Sequence, residues 1–411
     1  MNNSKLEIKR IVVNPKSKKK RFIFLDKHNT QIKDPETLSR VKKIVIPPAY
    51  TDIKIANNPN NYLQAVGIDD KGRKQYVYKK SFVDKQSKNK YCELKHIGEK
   101  IIQIQKDVRA LMLSDKPIDD KNKMIALCIY ILNTCYFRIG NIHYFKEHQS
   151  HGVSTLQTKH LTFKNNKLEI EFIGKKGVLN NCSLDDALSV KLLKELYNLS
   201  KKEKRPHNFL FYYRNKDDKN NNNNNNNNKN SNNDDKNNDD LHLIKPTDIN
   251  DFLNQYHPDI TLKMFRTWGA NYIFLEEIIK KKNEFMEIAN LKKIKNDSNS
   301  NSNLNLNSKE LNSKEKIGKE SDKLIKEIIK TIALRLHNTP TVSKKSYLDN
   351  NLVQIYLENP KSFWMKIKTS NNKNDLTVLL CEFLQKNCNK SKKTKKINKQ
   401  NGGWSLFKSF F

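Results

Sequence analysis

Short apolar runs separated by turn residues dominate the first part of the chain. From Arg21 to about Phe82 the pattern suggests strands. Phe22-Ile23-Phe24-Leu25 followed by Asp26-Lys27-His28-Asn29 reads as a strand entering a turn. Gln64-Ala65-Val66-Gly67-Ile68 and Gln75-Tyr76-Val77-Tyr78 flank Asp69-Asp70-Lys71-Gly72, the pattern of a hairpin. Between these runs, Pro35 to Val45 has near-helical spacing, so this region reads as a small α+β unit. From Ile97 the period changes. Ile101, Ile104, Val108 and Leu111 recur three and four residues apart, which predicts a helix. Lys123 to Phe137 is a strongly apolar helix. His160–Phe163 and Leu168–Ile173 read as two strands about a turn, and Leu184–Leu199 as a helix capped by Ser183. Near the end, Pro340 is expected to break a helix running from about Leu324, and Tyr347 to open the next.

Polar stretches mark the boundaries. Residues 1–20 end in Lys16-Ser17-Lys18-Lys19-Lys20 and read as a basic extension. Residues 215–240 are nearly all Asn, Asp and Lys, and residues 295–316 are rich in Asn and Ser. Neither has enough apolar surface to offset the entropy lost on ordering, so both are expected as disordered insertions. Helical pattern resumes after each. Residues 389–411 are a basic tail with an aromatic end, Trp404 to Phe411. The expected organisation is an extension (1–20), an N-terminal β-rich domain (21–88), a mostly helical domain with a short β-hairpin (89–388) and the tail (389–411).

Charge narrows the partner. The 411 residues carry 78 Lys and Arg against 44 Asp and Glu, a net charge of +34. Such an excess favours a polyanion, because counterion release drives binding to phosphate backbones. No run of about 18 apolar residues exists, so no membrane-spanning helix is expected. The N-terminus has no secretory pattern, which points to an intracellular protein. Six scattered cysteines with no CxxC pair suit a reducing compartment, and Cys128 and Cys135 read as core packing.

The chemistry has to come from cations and a tyrosine. There is no Walker A sequence, no HExxH and no cluster of acids suited to two metals. Arg138 follows the apolar helix, Lys175 follows the strand ending at Ile173, Arg266 lies between Phe265 and Trp268, and Tyr347 follows Asn338-Thr339-Pro340. Taken singly, each has an ordinary structural reading: a helix cap, a surface charge, a core tyrosine.

Their order and surroundings resemble the type IB DNA topoisomerases of the compact poxvirus-like group, which includes large-DNA-virus and bacterial members. The resembling blocks run from about Arg21 to Gln385. They include Ile46-Pro47-Pro48-Ala49-Tyr50-Thr51-Asp52, Gly72-Arg73-Lys74-Gln75-Tyr76-Val77-Tyr78, Arg138-Ile139-Gly140-Asn141 with Tyr144, and Gly152-Val153-Ser154-Thr155-Leu156. Phe172-Ile173-Gly174-Lys175, Phe265-Arg266-Thr267-Trp268-Gly269-Ala270 and Asn338-Thr339-Pro340 with Tyr347 complete the set.

The resemblance implies a small β-rich domain and a mostly helical catalytic domain forming a clamp around duplex DNA. Tyr347 would be the nucleophile, giving a 3′-phosphotyrosyl link. Arg138 and Arg266 would hold the non-bridging oxygens, and Lys175 would protonate the leaving 5′-oxygen. Asn338 would also contact the phosphate, with His337 as the alternative one residue earlier. Gln75, Tyr76, Tyr78 and Tyr144 match residues that touch DNA, although core packing is a second reading for the tyrosines at 76 and 78. No cofactor, metal or ATP would be needed, and a monomer is expected, acting in a DNA-containing compartment.

The physical chemistry suits that set. Planar, permanently charged guanidiniums bind phosphoryl oxygens bidentately. A lysine crowded by arginines at a low-dielectric interface loses its proton more readily. Two other readings share part of the pattern: a tyrosine recombinase, and a non-catalytic basic DNA-binding protein.

Overall fold

The computed structural model describes residues 6–14, 21–214, 241–281, 283–284, 307–358 and 376–384. The chain divides into two compact units, Met1–Tyr91 and Cys92–Phe411.

The first unit is built on a five-stranded antiparallel sheet of order β2-β1-β3-β4-β5. Its strands are β1 (Leu6–Val12), β2 (Phe22–Leu25), β3 (Thr51–Ala56), β4 (Leu63–Ile68) and β5 (Lys74–Tyr78). Helix α1 (Pro35–Lys43) starts with Asp34 accepting from the Thr37 amide at 2.8 Å and with proline in its first turn. Its Val41 joins Ile8, Phe24, Ile53, Ile55 and Ala65 in the core. The expectation of an extension over residues 1–20 is corrected for Leu6–Val12, which pair with both β2 and β3 inside the sheet. Ile8 supplies the buried face. Arg10 donates to the carbonyls of Ile46, Pro47 and Tyr50, holding the Pro47-Pro48 turn. The β4–β5 hairpin forms as expected. Its turn has Gly72 at φ +74°, where a side chain would be strained.

The second unit is mostly helical. Helix α2 (Lys80–Leu113) begins well before the expected Ile97 and buries Leu94, Ile97, Ile101, Ile104 and Val108. Helix α3 (Lys121–Cys135) is buried from Lys123 to Ile129, apolar on every side, as suits a central helix. Its one buried cation, Lys123, donates to the carbonyls of Ser114 and Lys116. Helix α4 (Ile142–His148) follows.

Next comes a three-stranded meander: β6 (Leu161–Lys164), β7 (Lys167–Ile173) and β8 (Leu179–Leu184). The third strand corrects the expected helix start. Ser183 and Leu184 lie in β8, and Asp186 is the residue that caps α5 (Ala187–Glu203). Strands β9 (Tyr212–Arg214) and β10 (Leu241–Leu243) pair directly. The insertion expected at 215–240 lies outside the described residues.

Helices α6 (Pro246–Asn254) and α7 (Leu262–Lys280) precede α8 (Asn307–Arg335). Of the second expected insertion, residues 307–316 are helical in α8, and residues 295–306 lie outside the described residues. Short helices α9 (Pro340–Ser346) and α10 (Asn350–Glu358) follow, then a helical stretch at 376–384. The tail at 389–411 also lies outside the described residues. No described helix is long and apolar enough to cross a membrane.

The reading of Cys135 as simple core packing is corrected. Cys135, at the end of α3, is joined to Cys182 in β8 by a disulfide, with Cα atoms 5.7 Å apart. That cross-link was not anticipated from the spacing of the cysteines.

Candidate active site

Four elements of the second unit converge on one site: the segment after α3, helix α7, the end of α8, and the α9 turn. Tyr136 leaves α3 in the left-handed conformation, φ 53°, and turns the chain toward Arg138. The next segment is fixed by its backbone. Val153 and Ser154 amides donate to the carbonyls of Arg138 and Ile139, at 3.0 and 2.7 Å. Gly140 lies so close to Gly152 that a Cβ there would stand 2.9 Å from the Gly152 backbone. Arg138 is thus presented from a rigid segment. Its Nη2 donates to Oδ1 of Asn338 at 2.8 Å.

Arg266 lies on α7 and is 5% exposed. Its Nη1 donates to the Tyr136 carbonyl and its Nη2 to the Leu336 carbonyl at 2.6 Å. These two bonds tie the end of α3 to the end of α8 through one guanidinium. Burial, and secondly Arg138, pull its pKa down to about 10, so it remains charged near neutrality. Gly269, one turn on, admits the Tyr136 ring; a Cβ there would overlap it.

Helix α8 ends in a left-handed turn at His337, φ 51°. The His337 amide donates to the Leu334 carbonyl and the Asn338 amide to that of Ala333. This is the Schellman arrangement, in which glycine is the favoured residue. The turn separates two neighbours. His337 points inward, Nε2 at 3.2 Å from the Cys135 carbonyl, and burial draws its pKa down to about 4. Asn338 points at Arg138. Its Nδ2 and the Nε of Arg266 are buried without a hydrogen-bond partner. Buried donors of that kind call for an acceptor, such as a phosphoryl oxygen.

Thr339 caps α9, accepting from the Val342 amide at 3.3 Å. Tyr347 closes this helix, with its amide donating to Ser343, so the expectation that it opens a helix is corrected. Its ring centroid is 5.3 Å from the Arg266 guanidinium carbon. Burial alone would raise the phenol's pKa. Arg266, Arg138 and Lys263 outweigh it, and the net shift is downward. Asn271 is a residue that sequence reasoning missed. It is fully buried on α7; Nδ2 donates to the Tyr347 carbonyl at 3.0 Å, and Oδ1 accepts from the Asp349 amide at 2.8 Å. The signal for it was present: an amide five residues after Arg266, within the mostly apolar run Trp268–Leu275.

Lys175 lies on the exposed turn between β7 and β8. Its strand is nevertheless coupled to Arg138. The His151 amide donates to the Ile173 carbonyl, and Val153, two residues on, donates to Arg138. The expected DNA-contact residues divide between the units. Tyr144 is 45% exposed on α4. Tyr76 stacks on Tyr78 at 6.5 Å, and Tyr78 on Phe82 at 5.5 Å. Gln75 donates to Asp69, which also pairs with Arg73.

Elsewhere, His96, His257 and Asp259 lie close together. The two imidazole rings stack 11° from parallel with centroids 4.1 Å apart, so their in-plane lone pairs run side by side rather than converge on an ion.

Residues 79–374 match the catalytic core of eukaryotic DNA topoisomerase I. Residues 21–69 match the N-terminal domain of bacterial DNA topoisomerase IB. The chain is 26% identical over 346 residues to DNA topoisomerase 1B of Acanthamoeba polyphaga mimivirus, covering 84% of this chain and 87% of that protein. It is also 26% identical to DNA topoisomerase 1 of Rabbit fibroma virus, covering 77% of this chain and 81% of that one. To DNA topoisomerase 1B of vaccinia virus it is 25% identical, covering 58% and 65%. The matched core takes in Arg138, Lys175, Arg266, Asn338 and Tyr347, and with it the chain belongs to the type IB DNA topoisomerases.

Proposed function

We propose that Tyr347 is the nucleophile of a reversible strand cleavage that relaxes supercoiled duplex DNA. The observation that carries this reading is a phenol held beside Arg266 next to two buried, unpartnered donors, Arg266 Nε and Asn338 Nδ2. Tyr347 Oη, giving up its proton to water, attacks the phosphorus; the bond to the 5′-oxygen breaks, and a 3′-phosphotyrosyl bond forms. The proton needed by the leaving oxygen comes from Lys175 Nζ, a step typically worth about 10²–10⁴-fold. Arg138 and Arg266 carry the charge that gathers on the non-bridging oxygens, and Asn338 adds a neutral donor. Because Asn338 bonds Arg138 while His337 bonds the Cys135 carbonyl, Asn338 is the better candidate for the phosphate.

The covalent link conserves the energy of the broken bond, so religation by the free 5′-hydroxyl needs no ATP. The cations already supply the positive charge a metal would bring, so this mechanism calls for no cofactor. Duplex DNA is the partner. The net charge of +34 supports a long phosphate footprint, and both units contribute: Gln75, Tyr76 and Tyr78 from the first, Tyr144 from the second. A clamp of the two units around the duplex, acting as a monomer wherever intracellular DNA is under torsion, fits this footprint.

Relaxation of supercoiled plasmid in EDTA without ATP tests the reading. The wild-type chain should relax the plasmid, and Tyr347→Phe should bind DNA equally well but leave it supercoiled. Relaxation by the variant would remove Tyr347 from the nucleophile's role. Strand exchange between paired specific sites, without relaxation, would favour a recombinase.

A further inference from the structure

We propose that Cys135 and Cys182 form a reversible dithiol–disulfide switch that, when closed, holds the hairpin carrying Lys175 against the end of the helix leading to Arg138. The inference rests on Lys175 being the general acid. Three ties of the active site meet at or beside Cys135. Its sulfur is bonded to Cys182 in β8. Its carbonyl accepts from His337, the neighbour of Asn338. The next residue, Tyr136, accepts from Arg266, and Arg138 follows two residues later.

Cys182 occupies a mechanically useful place on the hairpin. It pairs with Ile170 across β7–β8, and Ile173 pairs with Leu179 at the end of the ladder. Beyond that pair comes the turn with Lys175. At roughly 3.3 Å per residue, the cross-link lies about 10 Å from the end of the ladder. Closing it shortens the free lever that the lysine rides on. Opening it leaves the tip held by the strand pairing and by the His151 amide on the Ile173 carbonyl.

The two thiols are suited to exchange. Cys182 is half-buried and reachable, whereas Cys135 is 3% exposed. Cys92, Cys128 and Cys381 are unpaired, and Cys128 is wholly buried. With glutathione disulfide as oxidant, the Cys182 thiolate attacks one glutathione sulfur and expels the first glutathione thiolate. Cys135 then attacks the Cys182 sulfur and expels the second. Two thiol protons and two electrons pass to the two glutathiones, and excess reduced glutathione reverses both steps.

The test uses the full chain equilibrated with glutathione disulfide or with dithiothreitol. Mass spectrometry of alkylated digests reads whether Cys135 and Cys182 are linked. Single-turnover cleavage is then measured on an ordinary substrate and on one with a 5′-bridging sulfur, whose thiolate leaves without a proton. The oxidised chain should be linked and should cleave the ordinary substrate roughly three- to tenfold faster than the reduced chain, a fraction of what general-acid catalysis contributes. The two forms should cleave the sulfur substrate equally fast. Cys182→Ser should match the reduced wild type in both buffers.

Absence of the link, or equal rates on the ordinary substrate, would overturn the switch. So would a redox difference of equal size on both substrates, because it would not pass through Lys175. Lys175→Ala reports on the underlying reading. If the sulfur substrate fails to rescue that variant, the proposal falls through the acid assignment and not through the thiols.

Discussion

Asn271 shows how a single buried amide can fasten the backbone around Tyr347 from a neighbouring helix. Its side chain donates to the Tyr347 carbonyl and to that of Thr267, and accepts from the Asp349 amide. The backbone on both sides of Leu348 is thus fastened to α7, the helix that presents Arg266. Asn271→Ala removes these three side-chain bonds, at a cost of about 1–3 kcal/mol for any buried group thereby left unsatisfied. We expect a loss of about 2 kcal/mol in urea unfolding and single-turnover cleavage slowed by about tenfold or more. DNA binding should stay near wild type. Cleavage at the wild-type rate would show that Tyr347 is positioned by its own helix and not by this amide. Asn271 was legible in the sequence only as an oddity, because its partners are backbone groups 76 and 78 residues away. Arg138, Arg266 and Tyr347 stood out because the words around them resemble those of the type IB topoisomerases. The inward turn of His337 was not, since it depends on the backbone conformation at the end of α8.

At the scale of elements, two strands escaped sequence reasoning for the same reason. In β1, Lys9 and Arg10 interrupt the apolar run, and in β8, Asn180, Asn181 and Ser183 do so. Both strands are specified by pairing partners on either side or by a neighbouring strand, not by their own hydrophobicity. The helices were easier, because a three-and-four spacing needs no partner to be recognised. Strands β9 and β10 supply a prediction at this scale. Arg214 pairs directly with Leu241, so the polar stretch between them joins two adjacent strand ends. A two-residue Asn-Gly connection can close the same hairpin. Replacing residues 215–240 by Asn-Gly should leave plasmid relaxation within about twofold and unfolding within about 1 kcal/mol, since loop length changes closure entropy only slowly. A chain that fails to fold or to relax DNA would show that the stretch is more than a connection.

Over the whole molecule, burial sets the response to pH. His160 is held down to about 3 and His337 to about 4, both first by burial, and His151 is lowered as well. Unfolded, each would take a proton near pH 6.5. The unfolded chain therefore binds more protons below that point, and stability must fall as pH drops from about 6.5 toward 5. Above about 6.5 these groups are neutral in both states and contribute no slope. Paired carboxylates such as Asp69 lie well below this window. Urea unfolding at pH 7, 6 and 5 should show the decline, and His160→Gln should flatten it. An unchanged slope in that variant would place the acid sensitivity elsewhere.

By itself, the sequence offered a candidate repertoire: two arginines, a lysine, an amide and a tyrosine in a fixed order, on a chain with a net charge of +34. It also determined the division into a β-rich and a helical part, because hydrophobic period is a local property. Only the tertiary structure decided which groups meet. It put Arg266 between the ends of α3 and α8, turned His337 inward and Asn338 toward Arg138, and brought Cys135 to Cys182 across 47 residues. Those choices rest on hydrogen bonds and close contacts between segments far apart in the chain. Their energies exist only once the segments are packed, so no local pattern records them.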